Sequence, residues 1–398
     1  MKIIFISATC DRDDYNLICE KRKKPAIDSS QKFFEMFLDG LSGIEDVSVD
    51  CITVPPISYS TYPNLFVKQK SNVVKGITYH YVSILNLPVI KTIFASRSVK
   101  RRLKSLLKKY KNEQVKIICD PLLLEGLIPT VKLGKKYKIS TIGFLTDLPS
   151  FASENDKMGF LKKLYCDVYS KNLDKHLKRL DKYIVLTPAM SCVADNKPWL
   201  LVDCFVEQEM LDDIIPKKHE DCLPHVIYAG KLHKKFGLDI LCDAIPLVKS
   251  NCIFDIYGNG DYMPELKIMA QKYGKVKLHG IVPLKEVLSA ELSCQVLINP
   301  RTSEGEFTKY SFPSKTAEYM LSGVPLVMFK LPGVSEEYED YISYANEETP
   351  QAFANKIDEI LSLSEEDRCC LGAKAKNFII ENKNNKKQTK KIIDFIND

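Results

Sequence analysis

The chain has 398 residues, of which 45% are hydrophobic and 27% charged, and its formal net charge is +6. That length exceeds one ordinary hydrophobic core, so two domains are expected. The 13 cysteines are scattered without a Cys-x-x-Cys pair, which argues against a disulfide-rich secreted module and indicates a reducing cytoplasm.

The same inventory argues against two further classes. No run of eighteen or more apolar residues occurs, and the N-terminus has the pattern of a buried strand, so we expect a soluble or peripherally bound protein. The six histidines do not fall at metal-ligand spacing, so no metal site and no cofactor is predicted.

In the first half, short apolar runs alternate with helical patterns, which is typical of α/β domains. Strands are predicted at residues 2–7, 47–53, 115–119, 140–145 and 182–186, and a helix at residues 29–41. Acidic residues then cluster near residues 205–224, where the apolar periodicity lapses. We therefore predict an N-terminal domain at 1–205, a second domain at 206–382, and a final segment at 383–398.

Charge is distributed unevenly between the halves. Residues 1–205 contain 33 Lys and Arg against 21 Asp and Glu, and residues 51–112 contain 12 basic side chains and no acidic one. A helix is predicted at about residues 95–111, with Val99, Leu103, Leu106 and Tyr110 on one face and lysines on another. The residues assigned to an acceptor or membrane side are Lys100, Arg101, Lys104 and Lys108.

Aromatic residues interleave with the lysines before this helix, namely Tyr59, Tyr62, Phe66, Tyr79 and Tyr81. A basic and aromatic surface of this kind suits an anionic lipid layer. A solvated helix face would have the same composition, and that alternative stays open. Nucleic acid is not expected as a partner, because no recognised binding module accompanies the charge.

The second half alternates strands and helices again, with strands predicted at residues 226–229, 252–257, 276–279, 296–299 and 326–329. Three of these strands are followed by loops suited to a ligand. Those loops contain Gly230, Lys231 and Lys235, then Gly258 and Gly260, then His279 and Ile281. Because ligands of doubly wound sheets bind beyond the carboxyl ends of the strands, these loops should converge.

Residues 310–325 carry the most specific signal. Ser314 is predicted to cap a helix that Gly323 and Pro325 end, and the free N–H groups of its first turn make an anion site. Lys315 adds a positive charge where a diphosphate would lie, and Glu318, three residues later, shares its helix face and could accept from both hydroxyls of a ribose. Any capped helix before a strand could also carry a Lys and a Glu for structural reasons.

The sequence Asn299-Pro300-Arg301, followed by residues 311–315 (Ser-Phe-Pro-Ser-Lys) and Glu318-Tyr319, resembles retaining glycosyltransferases of family 4, of the bacterial polysaccharide-assembly type. The resemblance covers residues 225–330 well. It implies the GT-B fold, in which two Rossmann-like domains face each other across a cleft, and in which the chain end returns to brace the first domain.

The resemblance further implies that a sugar moves from a nucleotide-sugar donor to a glycan acceptor with retained configuration and without a metal. The acceptor would be linked to a lipid diphosphate at the anionic inner face of the membrane. The donor-binding residues implied are Gly230, Lys231, Lys235, Gly258, Gly260, His279, Ile281, Tyr310, Ser311, Ser314, Lys315 and Glu318, and the catalytic ones are Lys315, Arg301 and Asp147.

Departures from the family pattern open two alternatives. Tyr310 stands where the first of two paired glutamates is expected, and Thr146 where relatives often have histidine. A nucleotide-binding scaffold that has lost its chemistry, or a nucleotide-sugar epimerase, is therefore also considered. Asp147, in a turn closed by Pro149, would orient an acceptor hydroxyl or the transferred sugar, or would simply cap that turn.

Overall fold

A computed structural model of the chain describes residues 1–23, 29–148 and 160–398. The chain divides into two compact units. Unit 1 comprises Met1–Phe205 together with Asn385–Asp398, and unit 2 comprises Val206–Asn384. The first unit is therefore completed by the last segment of the chain.

Unit 1 contains ten strands and six α-helices among the described residues. The strands are β1 (Lys2–Ser7), β2 (Ser48–Thr53), β3 (Phe66–Val67), β4 (Lys70–Val74), β5 (Ile77–Tyr81), β6 (Ile84–Leu85), β7 (Val115–Cys119), β8 (Thr141–Leu145), β9 (Lys182–Val185) and β10 (Trp199–Leu201). The helices are α1 (Arg12–Glu20), α2 (Ser29–Ser42), α3 (Ile90–Lys109), α4 (Leu124–Tyr137), α5 (Phe160–Leu177) and, at the end of the chain, α12 (Asn385–Asn397).

The main sheet of unit 1 has the strand order β10-β9-β8-β7-β1-β2-β5-β4 and is parallel except for the β4–β5 hairpin. Strand β1 lies between β2 and β7, so the order of the strands reverses there, as in Rossmann-like sheets. The short strands β3 and β6 form a separate antiparallel pair.

One side of this sheet is covered by α2 and α12, and phenylalanines form the centre of the core. The ring of Phe33 lies 5.3 Å from that of Phe144 and 4.9 Å from that of Phe205. Close packing of α12 requires a glycine at position 40, because a Cβ there would lie 2.2 Å from the hydroxyl oxygen of Thr389. The buried face of α12 is formed by Ile392, Ile393 and Ile396.

Unit 2 contains six strands and six α-helices. The strands are β11 (His225–Ala229), β12 (Ile253–Tyr257), β13 (Val276–Gly280), β14 (Val296–Asn299), β15 (Leu326–Met328) and β16 (Ser343–Tyr344). The helices are α6 (Leu238–Ala244), α7 (Met263–Tyr273), α8 (Leu284–Glu291), α9 (Ser314–Ser322), α10 (Pro350–Ser362) and α11 (Glu365–Lys383). The strands are short, and β11, β12, β14 and β15 are buried along their whole length, as expected for the centre of a parallel sheet covered on both faces.

All six strands of unit 2 are parallel, in the order β13-β12-β11-β14-β15-β16. This is the Rossmann order, with its reversal between β11 and β14. The predicted fold class, α/β with two Rossmann-like domains, is thereby confirmed. The predicted strands agree with the observed ones to within a residue or two, because uninterrupted apolar runs mark buried parallel strands.

The interpretation of the aromatic residues before α3 is wrong in part. Tyr62, Tyr79 and Tyr81 are buried, the last two because residues 77–81 form a strand of the main sheet, whereas Tyr59 and Phe66 are exposed. The alternation of apolar and polar residues in this short hairpin is weak, so its strands were not predicted. None of the described helices has the length and apolarity needed to cross a bilayer.

Candidate functional site

Three loops at the carboxyl edge of the unit 2 sheet bind one another through their backbones. The amide of Gly230 donates to the carbonyl of Tyr257 (3.0 Å), and the amide of Gly258 donates to the carbonyl of Gly280 (2.7 Å). Further along, the amide of Leu232 donates to the carbonyl of Asn259 (3.1 Å). The loops after β11, β12 and β13 therefore lie together, as their positions after parallel strands predict.

Glycine is required where these loops cross. Gly258 has φ of 127°, and a Cβ there would lie 1.8 Å from the carbonyl oxygen of Gly230. A Cβ at Gly260 would lie 2.0 Å from the carbonyl oxygen of Leu232. Gly258 and Gly260 are thus required for the close approach of two loops, whether or not they also contact a ligand.

The loop after β14 contacts the loop after β11 at the reversal point of the sheet. Gly237, with φ of 80°, packs so closely that a Cβ would lie 1.9 Å from the carbonyl oxygen of Pro300. Arg301 follows directly, and its guanidinium carbon lies 4.7 Å from the centre of the Phe307 ring. Arg301 is therefore at the position where doubly wound sheets bind their ligands.

Arg301 is the most unusual charge in the unit. It is only 5% exposed, and neither Nε nor Nη2 has a hydrogen-bond partner among the described residues. Burial lowers the pKa of its guanidinium to about 10, which still leaves it positively charged at neutral pH. Buried guanidinium N–H groups without acceptors are costly, so this site favours an incoming anion.

Helix α9 begins differently from the prediction. Its N-cap is Pro313, no side chain caps it, and Ser314 is its exposed first residue. The carbonyl of Pro313 accepts the amide of Thr316 (2.8 Å), which fixes the first turn one residue earlier than a Ser314 cap would. The predicted end is correct, since Gly323 closes the helix with φ of 79°. The predicted core face is also correct, because Ala317, Met320 and Leu321 are buried.

Lys315 and Glu318 contact each other on α9, as their spacing predicts, and a third residue joins them. The ammonium of Lys315 is paired with Glu318 and also lies 3.4 Å from Oε1 of Glu291 on α8. Burial lowers the pKa of Lys315, but attraction to the two carboxylates raises it by more, so the net shift is upwards. In this structure the lysine charge is already balanced by protein groups.

Glu291 is the residue that sequence reasoning missed here. It is fully buried at the end of α8, within an otherwise apolar stretch of helix. A lone acidic residue at an apolar helix position was the available signal, because such a carboxylate needs a cation partner. Helix α9 is further joined to the sheet by Tyr319, whose hydroxyl accepts the amide of Ala229 (2.8 Å).

His279 is fixed by a second missed group, a chain of acid and imidazole side chains. Its Nε2 lies 2.6 Å from Oδ1 of Asp255, and its ring stacks on Tyr257 at 4.2 Å. The other oxygen of Asp255 bonds to His225, whose second nitrogen lies 2.9 Å from Asp221. Burial acts to raise the pKa of Asp255, but hydrogen bonds from the two histidines outweigh it and hold that pKa below its usual range.

The remaining predicted donor residues lie on the same loops. Ile281 is exposed after Gly280, which has φ of 68°. Lys231 and Lys235 are exposed in the loop after β11. Tyr310 and Ser311 are half-buried at the end of a 3₁₀ turn, Glu306–Tyr310. Their roles toward a ligand stay predictions.

In unit 1 the predicted residues lie on separate elements. Asp147 follows β8 and accepts the amide of Leu148 at 2.8 Å, which is the local capping alternative; Pro149 lies outside the described residues. The four cations of α3 that were assigned to the acceptor or membrane side are exposed: Lys100, Arg101, Lys104 and Lys108.

A structural role not foreseen for Gln31 is visible at the start of α2. Its amide accepts from the backbone N–H of Cys10 (3.0 Å) and donates to the carbonyl of Cys10 (2.7 Å). Because both bonds go to one residue, Gln31 holds the loop after β1 in a fixed position. Its spacing of twenty-one residues from Cys10 gave no sequence signal.

Comparison with known proteins gives the same architecture. Residues 223–363 match the family described as glycosyl transferases group 1. No curated protein sequence matches the chain. Its structure is similar to sucrose-phosphate synthase from Thermosynechococcus elongatus, with a TM-score of 0.67 and 14% identity over 100% of this chain and 98% of that one.

Two further solved structures extend the comparison. HepE from Anabaena, in complex with UDP, has a TM-score of 0.61 and 12% identity, and the match covers 100% of both chains. The lipopolysaccharide outer core galactosyltransferase WaaB has a TM-score of 0.62 and 13% identity, over 100% of this chain and 99% of that one. Residues 223–363 are thus a glycosyl transferases group 1 domain, and the chain as a whole has the GT-B fold of glycosyltransferases.

Proposed function

We propose that this chain is a retaining, metal-independent glycosyltransferase that acts in bacterial surface polysaccharide synthesis, such as that of a capsule. It moves a sugar from a nucleotide-sugar donor to a glycan acceptor carried on a lipid diphosphate. The observation that carries the donor part is Arg301, a buried guanidinium with unpartnered nitrogens at the reversal point of the unit 2 sheet. A nucleotide diphosphate supplies the anionic oxygens that such a cation lacks.

The other groups of unit 2 complete the donor site. The first-turn N–H groups of α9, at Ser314 and Lys315, favour a phosphate, as helix N-termini do. Glu318 would accept from the hydroxyls of a ribose, and the His279–Ile281 segment would contact the base. Lys231 and Lys235 add positive charge from the loop after β11. The donor would contact several loops that are already joined to one another by backbone hydrogen bonds.

The proposed reaction needs charge stabilisation more than a side-chain base. The bond from the anomeric carbon to the diphosphate oxygen breaks, and negative charge grows on the diphosphate near Arg301 and the α9 N–H groups. The acceptor hydroxyl attacks from the face that the nucleotide leaves and forms the new glycosidic bond. Its proton passes to a phosphate oxygen of the departing nucleotide, so configuration is retained without a metal or cofactor.

Unit 1 is proposed to receive the acceptor. Asp147 follows a strand of its sheet and would orient the acceptor hydroxyl or the transferred sugar. The exposed cations of α3, including Lys100 and Lys104, suit a lipid diphosphate at the anionic inner leaflet. The protein would then work at the cytoplasmic face of the membrane as a peripheral protein.

The donor part is tested by Arg301→Met, which keeps the apolar bulk but removes the charge. Titration with UDP, GDP and ADP should identify a nucleotide that binds the wild type, and affinity should fall about 10- to 100-fold in the variant, because charge-assisted hydrogen bonds are lost. Without nucleotide the variant should be at least as stable as wild type, since an unpaired buried charge is gone.

Arg368→Met is the matched control, because the guanidinium of Arg368 donates to the carbonyl of Leu361 at 3.2 Å. It should keep nucleotide affinity and lose a little stability, the opposite of Arg301→Met. Unchanged nucleotide affinity in Arg301→Met would contradict the donor assignment.

A turnover assay separates the remaining alternatives. Tyr310 at the position of a glutamate favours a scaffold without catalysis, and an epimerase would alter the donor sugar itself. The protein is incubated with UDP-, GDP- and ADP-sugars and a lipid-diphosphate-sugar extract. Release of nucleotide with a heavier lipid supports transfer, and nuclear magnetic resonance of the product gives its anomeric configuration. Tight nucleotide binding without turnover would support the scaffold instead.

A further inference from the structure

Unit 1 contains a groove of about 470 Å³, and of the residues predicted for the acceptor or membrane side only Arg101 lines it. One wall is the face of α3 that carries Phe94, Ser98, Arg102 and Ser105, whose spacing places them on one side of the helix. The facing wall is made by the turns that flank the β4–β5 hairpin. Its lining residues there include Lys68 and Ser83.

Every charged side chain that lines the groove is a cation, namely Lys68, Arg101 and Arg102. The ion pairs found among the described residues involve none of the three, and residues 51–112 contain no acidic residue at all. Within the described part of the chain these cations have no ion-pair partner, so an anionic ligand would neutralise them. Two arginines and a lysine around one groove form the arrangement that binds phosphate oxygens.

Ser98 adds an independent indication of a ligand. It is only 9% exposed, and within the described part of the chain its hydroxyl has no hydrogen-bond partner. A serine in the middle of a helix usually bonds to a carbonyl of the preceding turn or to water. Here the hydroxyl belongs to a residue that lines the groove, where a phosphate oxygen would accept its hydrogen.

The groove opens beside exposed apolar side chains. The ring of Phe94, which lines the groove, lies 6.3 Å from the ring of Phe66, and Phe66 is 48% exposed. Ile90 and Ile93 in the first turns of α3 are exposed as well. Cationic and apolar groups side by side match a ligand that has a phosphate next to a hydrocarbon chain.

We propose that this groove binds the phosphate group of a membrane lipid, with Arg101, Arg102, Lys68 and the Ser98 hydroxyl as its contacts. The exposed apolar side chains of Phe66, Ile90 and Ile93 then enter the lipid layer. The inference rests on the proposed function, which assigns unit 1 to the membrane. It adds a defined binding site to the general basic character of α3.

Vesicle co-sedimentation tests the site without requiring donor or turnover. The full chain is mixed with phosphatidylcholine vesicles that contain either phosphatidic acid, which exposes a phosphate monoester, or phosphatidylserine at equal surface charge. We expect the wild type to bind phosphatidic acid vesicles at least about tenfold more tightly than phosphatidylserine vesicles, since a single desolvated charge-assisted contact is worth that ratio.

Two double variants of α3 distinguish the groove from general attraction. Arg101→Gln with Arg102→Gln should abolish the preference for phosphatidic acid, whereas Lys104→Gln with Lys108→Gln should weaken both bindings and keep the preference. Ser98→Ala should reduce the preference about threefold without a change of charge. Circular dichroism confirms that each variant is folded.

Soluble ligands distinguish a lipid phosphate from free inorganic phosphate as the ligand of the groove. Short-chain phosphatidic acid below its micellar concentration should displace the protein from vesicles at lower concentration than inorganic phosphate does. Equal potency of the two, or equal loss of preference in both double variants, would overturn the proposal. If the wild type shows the expected lipid selectivity but no transferase activity, only the proposed function is contradicted.

Discussion

Lys315 and its two carboxylates allow one prediction to be developed from the contacts. The variant Lys315→Met keeps the length of the side chain and removes the ammonium that faces Glu291 and Glu318. The carboxylate of Glu291 is 1% exposed, so it would be left as a buried charge without this cation.

The magnitude depends on how well water can replace the lysine. Removal of one partner of a fully buried pair costs about 3–5 kcal/mol. The side chain of Lys315 is 30% exposed, and water reaches that end of the pair, so we expect a loss of about 2–4 kcal/mol in the free energy of unfolding of unit 2. Glu291→Gln should cost less, about 1–2 kcal/mol, because Lys315 keeps its contact with Glu318.

The double variant Lys315→Met with Glu291→Gln is the decisive measurement. With the buried charge also gone, its cost should be smaller than the sum of the single costs by about 1–3 kcal/mol. Stability is measured by urea unfolding, with hydrogen–deuterium exchange of α8 and α9 to assign the transition to unit 2. A pair with the same spacing but an exposed carboxylate, Lys356 with Glu359 (59% exposed), is the control, and Lys356→Met should cost below about 1 kcal/mol.

Additive single costs, within about 0.5 kcal/mol, would refute the coupling of Lys315 to Glu291. A cost for Lys315→Met no larger than that of Lys356→Met would show that the pair behaves as a surface ion pair. Either result would leave Lys315 available as a donor-site cation and would remove the structural role argued from the geometry.

Three further predictions address the site and the sheet edge. Glu318→Ala should weaken nucleotide-sugar binding about 10- to 100-fold if the contact with both ribose hydroxyls is lost, and titration calorimetry with unchanged affinity would remove that assignment. Gly258→Ala should lower the thermal unfolding temperature by several degrees, because its Cβ would meet the carbonyl oxygen of Gly230; an unchanged temperature would contradict the crossing of the loops. Burial raises the pKa of Asp120 to about 7, so the folded chain holds this proton more tightly than the unfolded chain, and stability should fall as pH rises from about 4 to 7. In Asp120→Asn, the decrease in the free energy of unfolding between pH 5 and pH 8, measured with urea, should be smaller by about 2–4 kcal/mol than in the wild type. An equal pH dependence in both proteins would argue against a raised pKa of Asp120.

Much of the fold follows from local patterns, and the failures have identifiable causes. Many of the buried parallel strands were predicted because they are short apolar runs, as at residues 226–229. The β4–β5 hairpin was missed, and Tyr79 and Tyr81 were placed on the surface, because residues 70–81 mix lysines, tyrosines and other polar residues without a long apolar run. Side chains of tyrosine are long enough to suit either environment, so only packing decides between them.

In the candidate site, too, some contacts follow from the local sequence and others depend on tertiary packing. The contact of Lys315 with Glu318 is local and follows from helix geometry alone. Its contact with Glu291 spans twenty-four residues and depends on how α8 packs beside α9. The buried state of Arg301 likewise depends on the approach of Gly237 to Pro300, which no local pattern records.

The sequence by itself determined most of the buried parallel strands of both units and the end of α9 at Gly323, and it predicted a ligand-binding role for residues 310–325. Those features depend on apolar periodicity and on backbone preferences that act over a few residues. The tertiary structure alone decided that β11 lies between β12 and β14, which brings the Gly230 loop beside Arg301. Strand pairing has this power because it joins distant segments through hydrogen bonds that every residue type can make, so side-chain patterns do not encode the partner.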